Sequence, residues 1–149
     1  MPNDPESKHG IEATSSIVGT WELLSYSWHF PDGHVLEPWG KAVGRISYDA
    51  IGNVMAVLMH EQRNQADGSN RCDPRTADSY SAYFGTYRVD ATQGRVRHRV
   101  TGSLNGNNAS GELLRTFEFE DGLMVLTFSK PLEGVPVIRR VVWKRLCQA

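Results

Sequence analysis

The sequence has few cysteines and no long apolar run. Its 149 residues contain two cysteines, Cys72 and Cys147, and neither has a partner at the short spacing of zinc sites or redox pairs. We interpret them as unpaired thiols, with a disulfide between them as the alternative. No stretch approaches the roughly 20 apolar residues that cross a bilayer, and residues 1–6 form neither a basic nor an apolar segment. We therefore expect a soluble, cytoplasmic protein with no membrane partner.

The sequence also lacks an excess of charge of either sign. The formal net charge is -1, and the acidic and basic residues are interspersed, which excludes the clustered positive surface that nucleic-acid binding needs. The five histidines are scattered, with no pair at a helical or zinc-finger interval, so we predict no metal site. Nucleophile elbows, phosphate loops and paired carboxylates are absent from the sequence, so we predict no cofactor and no hydrolase, nucleotide-dependent or glycosidase chemistry.

What the sequence does contain is a succession of short β-type segments. Residues 1–16 are polar and lack apolar periodicity, so we interpret them as a flexible leader before a single domain at 17–149. Beyond them, β-branched and aromatic residues alternate with glycine, asparagine, aspartate and proline turn signals. The predicted strands are Thr20–Phe30, Val43–Tyr48, Val54–His60, Ala82–Val89, Arg95–Gly102, Leu113–Phe119, Met124–Ser129 and Pro136–Leu146.

The connections indicate how these eight strands are arranged. Pro31–Gly33, Ile51–Asn53 and Asp121–Gly122 suit tight reversals, so most neighbouring strands form hairpins. The exception is Glu61–Ser81, where Asp73–Arg75 predicts a short helix between the third and fourth strands and a candidate lid. Hairpin-joined strands bury their inner faces most simply in an all-β, antiparallel, up-and-down barrel, with a two-sheet sandwich as the alternative.

Strand alternation assigns the side chains that face inward. Three arginines share one face of the strand Arg95–Gly102, which turns His98 inward. The same parity turns Tyr83, Tyr87 and Arg115 inward. The apolar positions turned inward are Val54, Ala56, Leu58, Leu113, Phe117, Phe119, Met124, Leu126 and Phe128. An apolar lining with a few oriented polar groups is typical of a ligand pocket.

Among the polar groups, Arg115 most needs a partner. A guanidinium keeps its charge and is costly to bury alone, and strand parity gives no inward Asp or Glu. It requires an anionic or carbonyl-bearing ligand, a buried carboxylate, or water. We predict that the partner is a small apolar molecule with an oxygen or carboxylate group.

Five segments of the chain carry a family resemblance: Gly19–Leu23, Val43–Asp49, Tyr83–Asp90, His98–Leu104 and Val142–Arg145. Together they resemble the lipocalin-like domain family of small bacterial and fungal β-barrels. This resemblance implies a barrel that holds an apolar compound and a Trp21–Arg145 pair that closes one end. Similar barrels include carriers as well as isomerases and cyclases of secondary metabolism, so the resemblance implies no single activity.

Two functions remain open. The first is a binding protein, monomeric or homodimeric, whose ligand oxygens are oriented by His98, Tyr83, Tyr87 and Arg115, with Trp39 either at the rim or plugging the floor. The second is a cofactor-free isomerase or cyclase for a polyketide-, terpenoid- or oxylipin-like intermediate, in which His98 or a tyrosine moves a proton and Arg115 stabilises a negative oxygen. For each of these groups a structural role inside the core is the alternative.

Overall fold

The strands form a single antiparallel sheet, which closes on itself as a barrel. The computed structural model describes residues 16–61, 80–104 and 111–147. Its strands are β1 (Gly19–His29), β2 (Val35–Leu36), β3 (Ala42–Tyr48), β4 (Asn53–His60), β5 (Tyr80–Asp90), β6 (Arg95–Ser103), β7 (Glu112–Glu120), β8 (Leu123–Ser129) and β9 (Ile138–Arg145). Consecutive strands pair from β3 to β9, and β1 pairs with both β3 and β9. The predicted eight-stranded up-and-down barrel is confirmed, and the sandwich alternative was wrong.

The turns explain most of the strand boundaries. Asp121 and Gly122, with φ of 51° and 79°, form the tight reversal between β7 and β8 that the sequence predicted. The last strand begins at Ile138 and not at Pro136, because proline has no N–H to donate to the sheet. The two-residue β2, which pairs with Trp28 and His29, was not predicted because it is too short to show alternation.

The two ends of the barrel differ. Short turns join β3 to β4, β5 to β6 and β7 to β8 at one end, which we call the closed end. The strands β1, β4, β6 and β8 end at the opposite end, which we call the open end, and the segments of chain that lead from them to the next barrel strand are longer. The helix predicted within Glu61–Ser81 falls on residues 62–79, and it lies outside the described residues, as do Cys72 and most of the predicted leader.

Arg145 covers Trp21 at the closed end. Its guanidinium lies 4.2 Å from the Trp21 ring centroid and donates hydrogen bonds to the carbonyls of Val18 and Ser16. The Trp21 indole N–H donates to the Ile17 carbonyl at 2.9 Å. The pairing that the family resemblance implied is therefore present, and it seals this end with a cation held by backbone oxygens.

The predicted alternation holds in the interior. Val54, Ala56, Met124 and Leu126 are at most 3% exposed, and His98 is fully buried. Arg97 and Arg99 face outward as expected, and Arg97 pairs with Glu112 at 3.4 Å. Phe119 lies against Trp21 with ring centroids 6.3 Å apart but stays 44% exposed, because it is next to the last residue of β7.

Within the described ranges, no helix is long and apolar enough to cross a membrane. In the same ranges, histidine, cysteine and acidic side chains form no group of three or more that could hold a metal ion.

Gly19 should be essential for the closed end. Its φ of 137° is strained for other residues, and a Cβ there would lie 2.6 Å from the Arg145 Nη1. We expect Gly19→Ala to lower the free energy of unfolding by about 1–3 kcal/mol. The control is Gly111→Ala, which meets open space. Urea denaturation measures both, and equal midpoints would contradict this account of the closed end.

Candidate functional site

Interior side chains divide into two groups by accessibility. Val54, Ala56, Tyr87 and Leu126 belong to the packed core and are nearly inaccessible. Of the predicted ligand contacts, those that keep part of their surface accessible are Trp39, Leu58, Tyr83, Arg115, Phe117 and Phe128. We call this second group the lumen lining. Of the predicted ligand contacts, only the lumen lining lies where a bound molecule could touch the protein without displacing the core.

His98 is held between two tyrosines from different strands. Its Nε2 lies 2.6 Å from the Tyr48 hydroxyl on β3, and its Nδ1 lies 2.8 Å from the Tyr83 hydroxyl on β5. Both ring nitrogens are therefore engaged, and the ring has no accessible surface. His98 positions Tyr83 and does not itself reach the lumen.

Burial sets the protonation state of this cluster. Desolvation, together with a smaller effect of the nearby Arg115 charge, lowers the pKa of His98 to about 3. Desolvation raises the pKa of Tyr83 to about 12, opposed by Arg115, and raises the pKa of Tyr48 well above its ordinary value. The imidazole and both phenols are thus neutral around pH 7.

Arg115 is the cation of the lumen lining. Its guanidinium lies 3.6 Å from the Phe128 ring centroid, and its Nη1 donates to the neighbouring Leu114 carbonyl at 3.2 Å. Burial lowers the pKa of Arg115, and the phenols of Tyr83 and Tyr48 oppose this, but a guanidinium stays charged around neutral pH. No carboxylate within residues 16–61, 80–104 or 111–147 forms an ion pair with it.

Aromatic rings form the wall near the open end. Trp39, in the connection between β2 and β3, packs on Tyr26 with ring centroids 4.8 Å apart. The Tyr26 hydroxyl accepts a hydrogen bond from the Trp28 indole at 2.8 Å. Trp39 is half-buried and lies away from the sealed Trp21 end, so it occupies a rim position.

Tyr87 differs from the other predicted polar groups. Its hydroxyl donates to the Asp49 carbonyl in the β3–β4 turn at 2.6 Å, and its side chain is 6% exposed. Its ring packs edge-on against Tyr48. The structure therefore brings Tyr83, His98 and Arg115 together but gives Tyr87 a local structural bond.

Among the described residues, Tyr48 and Arg139 are large buried polar side chains that sequence reasoning missed. Tyr48 shares its parity with the buried Ile46, and Arg139 shares its parity with Val141 and Trp143, so alternation could have found both. Arg139 is 4% exposed, lies 3.8 Å from the Trp28 ring centroid and donates to the Lys130 carbonyl at 3.2 Å. Its Nε has no hydrogen-bond partner in the described part of the chain.

A comparison with models of protein families identifies the family to which the barrel belongs. The profile of the lipocalin-like domain matches residues 18–146. The chain belongs to the lipocalin-like domain family. The match runs from just before β1 to just after β9, so it covers the whole closed sheet of this lipocalin-like protein. A comparison with curated proteins gives no match. A barrel of this family is consistent with the binding of a small molecule, and its lumen lining is the candidate site.

His98 should make the protein less stable in acid. In the unfolded chain His98 takes up a proton near pH 6.5, whereas in the folded protein it takes one up only near pH 3. The resulting contribution to stability is therefore complete above pH 6.5 and is lost as the pH falls from 6.5 to about 3. Between these pH values, His98 should contribute up to about 1.4 kcal/mol per pH unit to the slope of the free energy of unfolding against pH. The groups facing it are Tyr48 and Tyr83, whose pKa values are raised, and the charged Arg115.

Urea denaturation at a series of pH values measures this slope. The control is His98→Gln, which is polar but does not titrate, so its stability should fall less steeply with acid. Surface carboxylates contribute equally to the pH dependence of stability in the wild type and in His98→Gln. Parallel curves for the wild type and His98→Gln would show that the imidazole titrates normally in the fold.

Proposed function

We propose that this lipocalin-like protein binds a small, largely apolar molecule in its lumen and holds one oxygen of that molecule with Arg115 and Tyr83. The observation that carries the proposal is the half-buried Arg115, which has no ion-pair partner in the described part of the chain. A desolvated guanidinium with unused donors is costly, and a ligand oxygen would offset that cost.

The remaining lumen lining supports an apolar body for the ligand. Leu58, Phe117 and Phe128 are half-buried and apolar, and Trp39 adds an indole at the rim. Burying this surface against a ligand contributes roughly 25 cal/mol for each Å² of apolar area removed from water. The apolar wall would supply most of the affinity, and Arg115 with Tyr83 would set the orientation.

An isomerase or cyclase role has less support. A general base works best with a pKa near the operating pH, and the pKa of His98 is about 3. Both of its ring nitrogens are bonded to tyrosines, so it has no free nitrogen to offer a substrate. Proton transfer in the lumen would have to use Tyr83, whose pKa is raised to about 12.

Filling the lumen should weaken ligand binding. N-phenyl-1-naphthylamine, an apolar dye that fluoresces in apolar surroundings, should bind the wild-type protein, and Leu58→Trp should weaken that binding by tenfold or more, roughly 1.4 kcal/mol. The matched control is Val57→Trp, since Val57 is the preceding residue of β4 and points outward with 44% exposure. Fluorescence titration measures the affinities, and equal loss in the two variants would place the dye outside the lumen.

A further inference from the structure

The Tyr48–His98–Tyr83 hydrogen bonds form a chain with a direction. A neutral imidazole carries one N–H, so one ring nitrogen donates and the other accepts. Tyr48 lies on Nε2 at 2.6 Å and Tyr83 lies on Nδ1 at 2.8 Å. One tyrosine must therefore donate its proton to the ring, and the other must accept a proton from it.

Burial decides which tyrosine donates. Tyr48 is 1% exposed, and within the described residues its hydroxyl has no second hydrogen-bond partner. If it accepted from Nε2, its own proton would be buried without an acceptor among the described residues, and a buried donor left without a hydrogen bond is costly. Tyr48 therefore donates to Nε2, and the proton of the imidazole is on Nδ1.

The Nδ1 proton then fixes the role of Tyr83. His98 donates to the Tyr83 oxygen, so the Tyr83 O–H must point to another acceptor. Tyr83 is half-buried in the lumen lining, and its hydroxyl has no acceptor among residues 16–61, 80–104 and 111–147. The hydroxyl proton of Tyr83 is therefore available to a molecule in the lumen.

Arg115 adds a second group that can only donate. A guanidinium has five N–H donors and no acceptor, and the described chain engages Nη1 through the Leu114 carbonyl. We infer that Tyr83 and Arg115, the polar groups of the lumen lining, offer a ligand hydrogen-bond donors and a positive charge, so the ligand is an apolar carboxylic acid bound as its anion. This inference rests on the proposed function, and it names the chemical class of the ligand.

Matched amphiphiles distinguish this class from the alternatives. Decanoate, 1-decanol and decylamine share one chain and differ in the head group, and each can be titrated against bound N-phenyl-1-naphthylamine. We expect decanoate to displace the dye at concentrations about tenfold or more below those of 1-decanol, because a charge-assisted hydrogen bond is stronger than a neutral one, and we expect decylamine to be the weakest competitor. Equal displacement by decanoate and 1-decanol would overturn the inference while leaving lumen binding intact. A wild-type protein that binds no dye would instead overturn the proposed function.

Substitutions identify the donors. Arg115→Met should remove the preference for decanoate over 1-decanol, and Tyr83→Phe should reduce it several-fold. The control is Arg99→Met, because Arg99 lies on the outer face of β6 and is exposed. A full decanoate preference in Arg115→Met would exclude Arg115 as the counter-charge.

A spectroscopic experiment tests the direction of the Tyr48–His98–Tyr83 hydrogen bonds. Long-range ¹H–¹⁵N spectra of His98 in the wild-type protein should show a neutral ring with its proton on Nδ1. Tyr48→Phe removes the donor to Nε2, so the ring should shift towards the tautomer with the proton on Nε2 and the decanoate preference should fall. A wild-type ring protonated on Nε2 would mean that Tyr83 donates to His98, and the donor-only site would be refuted even if Tyr48→Phe fails to fold.

Discussion

Closure of the sheet between β1 and β9 is the constraint on which the rest of the structure depends. The pairing runs from Trp21 opposite Arg145 to His29 opposite Ile138, with a bulge between Leu23 and Ser25. Because β1 and β3 to β9 each then have a neighbour on both sides within the closed ring, alternate side chains of these eight strands converge on one interior. An open sheet would leave the same histidine and arginine facing water.

The interior created by closure determines the chemistry of its polar groups. Desolvation keeps the His98 ring and both phenols neutral, so they meet through hydrogen bonds and not through charge. Such a network is stabilising only when each buried proton has an acceptor. The fully buried Tyr48 satisfies this condition through His98, whereas the half-buried Tyr83 has no acceptor for its proton among the described residues.

Patterns within single strands predicted the strands and their inward faces. The hydrogen bonds between side chains of different strands depend on how the strands pair, which those patterns do not show. Alternation placed His98, Tyr83 and Arg115 inside because a period of two is readable within one strand. It could not show that the Tyr87 hydroxyl bonds the Asp49 carbonyl, since that contact depends on the stagger between β5 and the β3–β4 turn. The Tyr83–His98 bond likewise depends on the register shift between Phe84 and Gly85, where a Cβ on Gly85 would lie 1.9 Å from the Arg99 carbonyl oxygen.

Among the described residues, three arginines lie over aromatic rings, and their remaining contacts separate their roles. Arg145 lies on Trp21 and gives its other donors to backbone carbonyls, so it stabilises the closed end. Arg139 lies on Trp28 and is 4% exposed, which leaves little surface for a ligand. Arg115 lies on Phe128, is half-buried, and gives one described hydrogen bond, to the adjacent Leu114 carbonyl. An arginine whose donors are satisfied by its own chain stabilises the fold, whereas one with unused donors and an accessible face is suited to bind an anion.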